Sequence, residues 1–140
     1  MIRADIYIAK YDWVVHCYFA VTCYWKKEIL NTLFLMGCSY KQIDAADEIL
    51  ECDCINSGLT FSNMNARESI IVTKIAESPA EFLDSLVHEL QHLTVHIAME
   101  EGISFKGEEI CYLIGDLARS LYPYCKRLLC KHCLKSLQGK

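Results

Sequence analysis

Residues 78–99, SPAEFLDSLVHELQHLTVHIAM, carry the clearest helical pattern in this sequence. Ser78 is followed by Pro79, and Glu81 comes three residues after the serine, which is the pattern of a capped helix amino terminus. Gly102 follows the pattern as a typical helix stop. Apolar side chains recur between these signals at helical spacing, at Phe82, Leu83, Leu86, Leu90, Leu93 and Ile97. The sequence therefore predicts one long amphipathic helix over residues 78–99.

Two histidines and a glutamate lie inside this predicted helix, in the order His88, Glu89, Leu90, Gln91, His92. A spacing of four residues puts both imidazoles on one helical face, one turn apart, where both can bind a single zinc ion. Glu89 then projects beside the metal, where its carboxylate can take a proton from a zinc-bound water and pass it to a leaving amine. This HExxH pattern is typical of zinc peptidases. We therefore expect His88 and His92 to bind Zn²⁺ and Glu89 to be catalytic.

A third metal ligand is required, because a catalytic zinc usually has three protein ligands and one open position. Residues 107–117, GEEICYLIGDL, predict a second helix whose first turn carries Glu108 and Glu109. One of these carboxylates can reach back to the metal. His96 is a weaker choice, since residues at i, i+4 and i+8 extend about 12 Å along a helix and cannot all contact one ion. We expect His96 to pack or to contact the ligands from outside.

The two motifs together resemble the small gluzincin-like metallopeptidases, in which HExxH is followed on the next helix by a glutamate ligand in a setting like E-x-x-x-Y-L-x-G. The matching residues in this chain are Glu108, Tyr112, Leu113 and Gly115. The wider stretch from Gly58 to the end of the second helix is similar to uncharacterised predicted metallopeptidases of gut bacteria and their phages.

The resemblance implies Glu108 as the third ligand, with Glu109 as the alternative, and a glycine at position 115 that lets the two helices approach closely. Tyr112, one turn after Glu108, is a candidate to donate a hydrogen bond to the substrate or to the ligand shell, and a core aromatic is the alternative role. In zincin folds the strand before the HExxH helix commonly forms the sheet edge along which a peptide substrate binds. Residues 69–75 occupy that place in this chain.

The expected fold is α+β, a minimal zincin-like single domain with a small, mostly antiparallel sheet, an HExxH helix and a second, ligand-bearing helix. Alternating and β-branched segments predict strands, and 3.6-residue periodicity predicts helices. The expected strands cover 6–8, 13–21, 58–62 and 69–75, and the earlier helices cover 26–36 and 40–50. Residues 1–140 form one domain, with strands and two helices in 1–76, the metal-binding helix pair in 77–122 and a tail rich in cysteine and lysine in 123–140.

Length and composition restrict the function further. With 140 residues, of which 53% are hydrophobic, the chain has material for one core. A net charge of −4 gives no reason to expect a nucleic-acid partner, since phosphate binding needs clustered positive charge. Because the sequence has no long apolar run and no export signal, we expect a cytoplasmic protein without membrane association. The expected partner, from the HExxH pattern, is a peptide or protein substrate.

Nine cysteines occur in the chain, and free thiols are the expectation for a protein without an export signal. Cys52 and Cys54 are two residues apart, a spacing that structural zinc sites seldom use. The sequence leaves open whether a second, structural metal binds near the carboxyl end, where Cys125, Cys130, His132 and Cys133 lie close together in the chain. Leucines and lysines of the same tail predict a helix that docks its apolar side on the domain.

Two other classes of function remain open at this point. In the first, a noncatalytic zinc-binding adaptor of a mobile element uses the metal only to tie the last two helices together. In the second, the protein is an interaction module without metal.

Overall fold

The chain folds into four β-strands and five α-helices within the part that the computed structural model describes, residues 1–51 and 58–138. Each element predicted from periodicity is present, with ends that differ by a few residues from the expected ones. The elements are β1 (Ile2–Ile8), β2 (Trp13–Val21), α1 (Lys26–Leu35), α2 (Tyr40–Ile49), β3 (Gly58–Asn63), β4 (Glu68–Lys74), α3 (Pro79–Glu101), α4 (Glu108–Cys125) and α5 (Lys131–Gln138).

The strands form one mixed sheet in the order β1-β2-β4-β3. The outer pairs, β1 with β2 and β3 with β4, are antiparallel, and the central pair of β2 and β4 is parallel. The expected class, α+β, is confirmed, but the sheet is mixed, with a parallel pair at its centre. A parallel pair needs a long connection, and the chain passes through α1, α2 and β3 between β2 and β4.

The strand that precedes the HExxH helix is β4, and it does not lie at the sheet edge. It lies between β2 and β3, and residues 69–73 are all buried. Its side chains are covered on both faces, because Ile70 and Val72 enter one apolar cluster and Ile71 enters the other. The expectation that residues 69–75 form the edge is therefore wrong, and β3 is the edge strand on this side.

Helices cover both faces of the sheet. On one face, α1 and α2 pack on the sheet through a cluster that includes Ile29, Leu33 and Ala46. On the other face, α3, α4 and α5 share a larger cluster with β1 and β2. The apolar side of α3 therefore points into the protein. Among the helices of residues 1–51 and 58–138, none has the length and apolarity needed to cross a membrane.

The ends of α3 follow the expected capping chemistry. The Ser78 hydroxyl accepts a hydrogen bond from the Glu81 amide at 3.1 Å, and the Glu81 carboxylate accepts one from the Glu77 amide at 2.8 Å. At the other end, Gly102 adopts a left-handed conformation with φ 68°, which favours glycine. These signals fix α3 at both ends, and they place His88 and His92 near its middle.

The tail docks on the domain as the sequence predicts. A 3₁₀ turn (Lys126–Leu129) leads into α5, and Leu128 and Leu134 are buried in the larger cluster while Lys131 and Lys135 are exposed. The leucines thus attach the tail to the domain, and the lysines face solvent.

Gly58→Ala should destabilise the protein by about 2 to 3 kcal/mol, because an added Cβ would lie 2.0 Å from the Val72 carbonyl oxygen across the strand pair. Gly115→Ala is the matched control. Gly115 is an exposed helical residue with nothing within 4 Å of an added Cβ, so alanine should stabilise the protein by up to about 1 kcal/mol. Urea denaturation of both variants measures the free energy of unfolding, and changes of equal sign would contradict the close packing at Gly58.

Candidate metal centre

His88 and His92 converge on the exposed face of α3. Their Nε2 atoms are 3.2 Å apart, and their ring centroids are 4.9 Å apart. Two imidazole nitrogens bound to one tetrahedral zinc at about 2.05 Å would be about 3.3 Å apart. The pair therefore has the spacing of two ligands of a single ion.

Glu89 points away from solvent, towards the edge strand β3. Its side chain lies almost entirely within the protein, with 2% of the residue exposed. The Thr60 hydroxyl donates a hydrogen bond to Glu89 Oε2 at 2.6 Å, and Oε1 lies 3.3 Å from the position of a Cβ on Gly58. A side chain at position 58 would thus press on the carboxylate, which the glycine leaves unobstructed. Burial of a carboxylate is costly unless hydrogen bonds or a cation compensate for the lost water.

The two histidines and Glu89 line one cleft between α3 and β3. Its other lining residues are Ile49, Gly58, Leu59, Thr60 and Phe61. Since β3 is an edge strand, no strand in residues 1–51 or 58–138 pairs with the backbone groups on its outer side. The cleft thus combines two metal-binding nitrogens, one buried carboxylate and a free strand edge.

Glu108, Glu109 and Tyr112 do not line this cleft. They belong to α4, which packs on β1 and α3, and β1 is the opposite edge of the sheet from β3. Three strand spacings separate the two edges, about 14 Å. Within residues 1–51 and 58–138, no three His, Cys, Asp or Glu side chains are grouped in a way that could hold a metal ion.

The structure therefore does not bring the carboxylates of the second helix to the histidine pair. The order of the two helices along the chain predicts that they are neighbours, but it does not reveal which flank of α3 the second helix covers. The structure also differs from the roles expected for Tyr112 and Gly115. Tyr112 is 68% exposed and is not a core aromatic, and Gly115 is exposed with open space around it, so it serves no close helix contact.

His96 ends a buried chain of hydrogen bonds that the sequence analysis missed. Trp13 Nε1 donates to Ser69 Oγ at 2.8 Å, Ser69 Oγ is 2.6 Å from Ser62 Oγ, and Ser62 Oγ is 2.7 Å from His96 Nδ1. Burial, with a smaller contribution from His92, lowers the pKa of His96. The neutral ring can accept from Ser62 at Nδ1, so His96 joins α3 to the sheet and is not a third ligand.

One sequence signal could have revealed this polar contact surface. Thr60 and Ser62 alternate with Leu59 and Phe61 in β3, and Ser69 is the register partner of Ser62 in β4, so the three hydroxyls share the sheet face that α3 covers. Hydroxyl groups on a covered face need partners. Thr60 and Ser62 find theirs in two polar side chains of α3, Glu89 and His96, and Ser69 pairs with Ser62 and Trp13.

The four residues near the carboxyl end for which the sequence left a second metal site open do not all come together. Cys125 is buried in the apolar core, whereas Cys130 and His132 are exposed and Cys133 is half-buried. These residues do not form a group of three metal ligands in the described part of the chain. Cys52 and Cys54 lie outside the described residues.

Comparison of the chain with protein-family models, with curated proteins and with solved structures found no match in any of the three. The resemblance to gluzincin-like metallopeptidases therefore stays a prediction based on the motifs.

Thr60→Val should destabilise the protein by about 1 to 3 kcal/mol, because it removes the hydroxyl that donates to the buried Glu89 carboxylate. Thr73→Val is a matched control of identical shape. The Thr73 hydroxyl is also buried, but it has no hydrogen-bond partner in the described structure, so its loss should be neutral or stabilising. Urea denaturation compares the two variants, and equal losses would show that the contact with Glu89 contributes nothing specific.

Proposed function

We propose that this protein is a zinc-dependent hydrolase, a metallopeptidase, in which His88 and His92 supply two of the metal ligands and Glu89 moves the proton. The observation that carries the proposal is the separation of 3.2 Å between the two Nε2 atoms, with the buried Glu89 carboxylate in the same cleft. Bound zinc would supply a Lewis acid that polarises a substrate carbonyl and makes water more acidic.

Glu89 is suited to the role of general base by its position. The Thr60 hydroxyl occupies one carboxylate oxygen, Oε2, and so holds the orientation of the group. The other oxygen, Oε1, has no hydrogen-bond partner among the described residues, and it would accept a proton from water in the cleft and return it to the leaving amine. Because the carboxylate is shielded from bulk solvent, its electrostatic effect on groups in the cleft is stronger than at the surface.

A peptide is the substrate class that the cleft supports best. The edge strand β3 forms one wall, and an extended peptide can pair with the backbone groups of an exposed strand edge. A peptide bound in this way would run past the histidine pair. This assignment moves the substrate edge from β4, where the resemblance located it, to β3.

Zinc content tests the ligand assignment. Untagged protein should contain about one zinc per chain by elemental mass spectrometry, and His88→Ala and His92→Ala should each lose it. His132→Ala, which removes an exposed histidine on α5, is the control and should retain the metal. Glu108→Gln should also retain it, because α4 packs on the far edge of the sheet. Wild-type protein without zinc after incubation with the metal would overturn the proposal.

Glu89→Gln tests catalysis separately from binding. The amide can still accept from Thr60, so the variant should fold and bind zinc, while hydrolysis of a fluorogenic peptide library should fall by at least about 100-fold. Glu100→Gln, an exposed change on the same helix, should leave the rate unaltered. Loss of zinc together with hydrolysis in Glu89→Gln would assign Glu89 a structural role.

A noncatalytic zinc-binding protein is the second candidate. The observation that favours it is the contact of Glu89 with β3, since a carboxylate that joins a helix to a strand has a structural function without any chemistry. One zinc per chain with no hydrolysis of the peptide library would select this alternative.

A further inference from the structure

The cleft between α3 and β3 has a polar side and an apolar side. Its polar side consists of the centre described above, His88, Glu89 and His92, with Thr60 of β3. Its apolar side consists of Ile49, the last residue of α2, together with Leu59 and Phe61 of β3. Leu59 is buried, whereas Ile49 and Phe61 are half-buried and keep apolar surface open towards the cleft. A molecule in the cleft therefore meets both kinds of surface.

The alternation of side chains along β3 produces the two sides. Thr60 lies opposite Ile71 of β4, which belongs to the cluster under α3, and the Thr60 hydroxyl contacts Glu89. Phe61 lies opposite Ile70, which belongs to the cluster under α1 and α2. Because successive side chains of a strand point to opposite faces, Thr60 faces α3 and Phe61 faces α2.

Hydrogen bonds at the end of β3 limit where a further strand can pair. The Gln42 side chain of α2 donates to the Ser62 carbonyl oxygen at 3.1 Å, and the Asn63 side chain donates to the Met36 carbonyl oxygen at 2.8 Å. These bonds tie the last two residues of β3 to α2 and to the end of α1. The segment Gly58–Phe61, which lines the cleft, is therefore the part of the edge that an extended peptide reaches beside the histidine pair.

A peptide paired with this segment would follow the same alternation. In paired strands, residues directly opposite each other project to the same face. The peptide residue opposite Thr60 would face the histidine pair, and the next one, opposite Phe61, would face the apolar side. A large apolar side chain there would cover Phe61 and Ile49, and the removal of apolar surface from water is favourable. A charged side chain there would lose water without gaining a partner, which is unfavourable.

We propose that Phe61 and Ile49 are specificity-determining residues, and that the cleft selects extended peptides with a large aliphatic or aromatic side chain directly next to the residue that faces the histidine pair. This inference rests on the proposed function and adds the substrate preference of the same site. Neither residue takes part in the chemistry. Replacing them therefore changes which peptide binds, while the two histidines and Glu89 stay in place.

Peptide binding tests the preference without hydrolysis. The probes are fluorescein-labelled nine-residue peptides of threonine and serine with leucine, glycine or aspartate at the centre, and the protein is Glu89→Gln incubated with zinc. Fluorescence anisotropy should give a dissociation constant for the leucine peptide at least about tenfold lower than for the other two, which is within the usual effect of an apolar contact in a pocket. Equal dissociation constants for the three peptides, or binding of none of them, would overturn the inference.

Phe61→Lys, in the same Glu89→Gln background, should reverse the preference. The lysine stem can lie on the apolar side while its ammonium group stays in water, where it attracts the aspartate peptide. Ile49→Lys should change the preference in the same direction, and it replaces Phe61→Lys if circular dichroism shows that variant to be unfolded. Phe34→Lys is the matched control, because Phe34 is 62% exposed on α1 and does not line the cleft. An unchanged preference for leucine in the folded variants at positions 61 and 49 would contradict the assignment.

A displaced leucine connects the preference with hydrolysis in the wild-type protein. When the leucine is moved by one residue along the host peptide, the cleaved bond, identified by mass spectrometry of the products, should move by one residue with it, because the apolar contact sets the register. A cleaved bond that stays in place would refute the inference and leave the hydrolase proposal intact. Leucine-selective binding without any hydrolysis would refute the proposed function and leave the preference of the cleft intact.

Discussion

The contact of α3 with the edge of the sheet is the constraint on which the candidate centre depends. One flank of α3 is apolar and enters the core, but the flank over β3 carries Glu89 and His96. Apolar packing alone tolerates small rotations and shifts of a helix. The hydrogen bonds that Glu89 accepts from Thr60 and His96 accepts from Ser62 do not, because each requires a particular partner at a particular distance. They fix the rotation of α3 about its axis, and so they direct His88 and His92 into the cleft.

Local signals explain why the elements were predictable and the order of the strands in the sheet was not. Helix α3 was predicted almost to its last residue, because Ser78, Glu81 and Gly102 act within one turn of its ends. Strand order depends on which faces are buried after the helices have packed. The apolar run in β4 is what a strand covered on both faces requires. It indicates an internal position more directly than the place of β4 before the HExxH helix indicates an edge.

The candidate centre shows the same difference between what one element determines locally and what the packing of two elements determines. His88 and His92 belong to one rigid helix, so their spacing follows from the sequence alone. Glu108 belongs to another helix, and its distance from the pair depends on the flank of α3 that α4 covers. The sequence carries no local signal for that choice. Thr60 and Ser62 were missed for a related reason. Their alternation with apolar residues places both hydroxyls on one face of β3, but only the position of α3 shows which polar side chains meet them there.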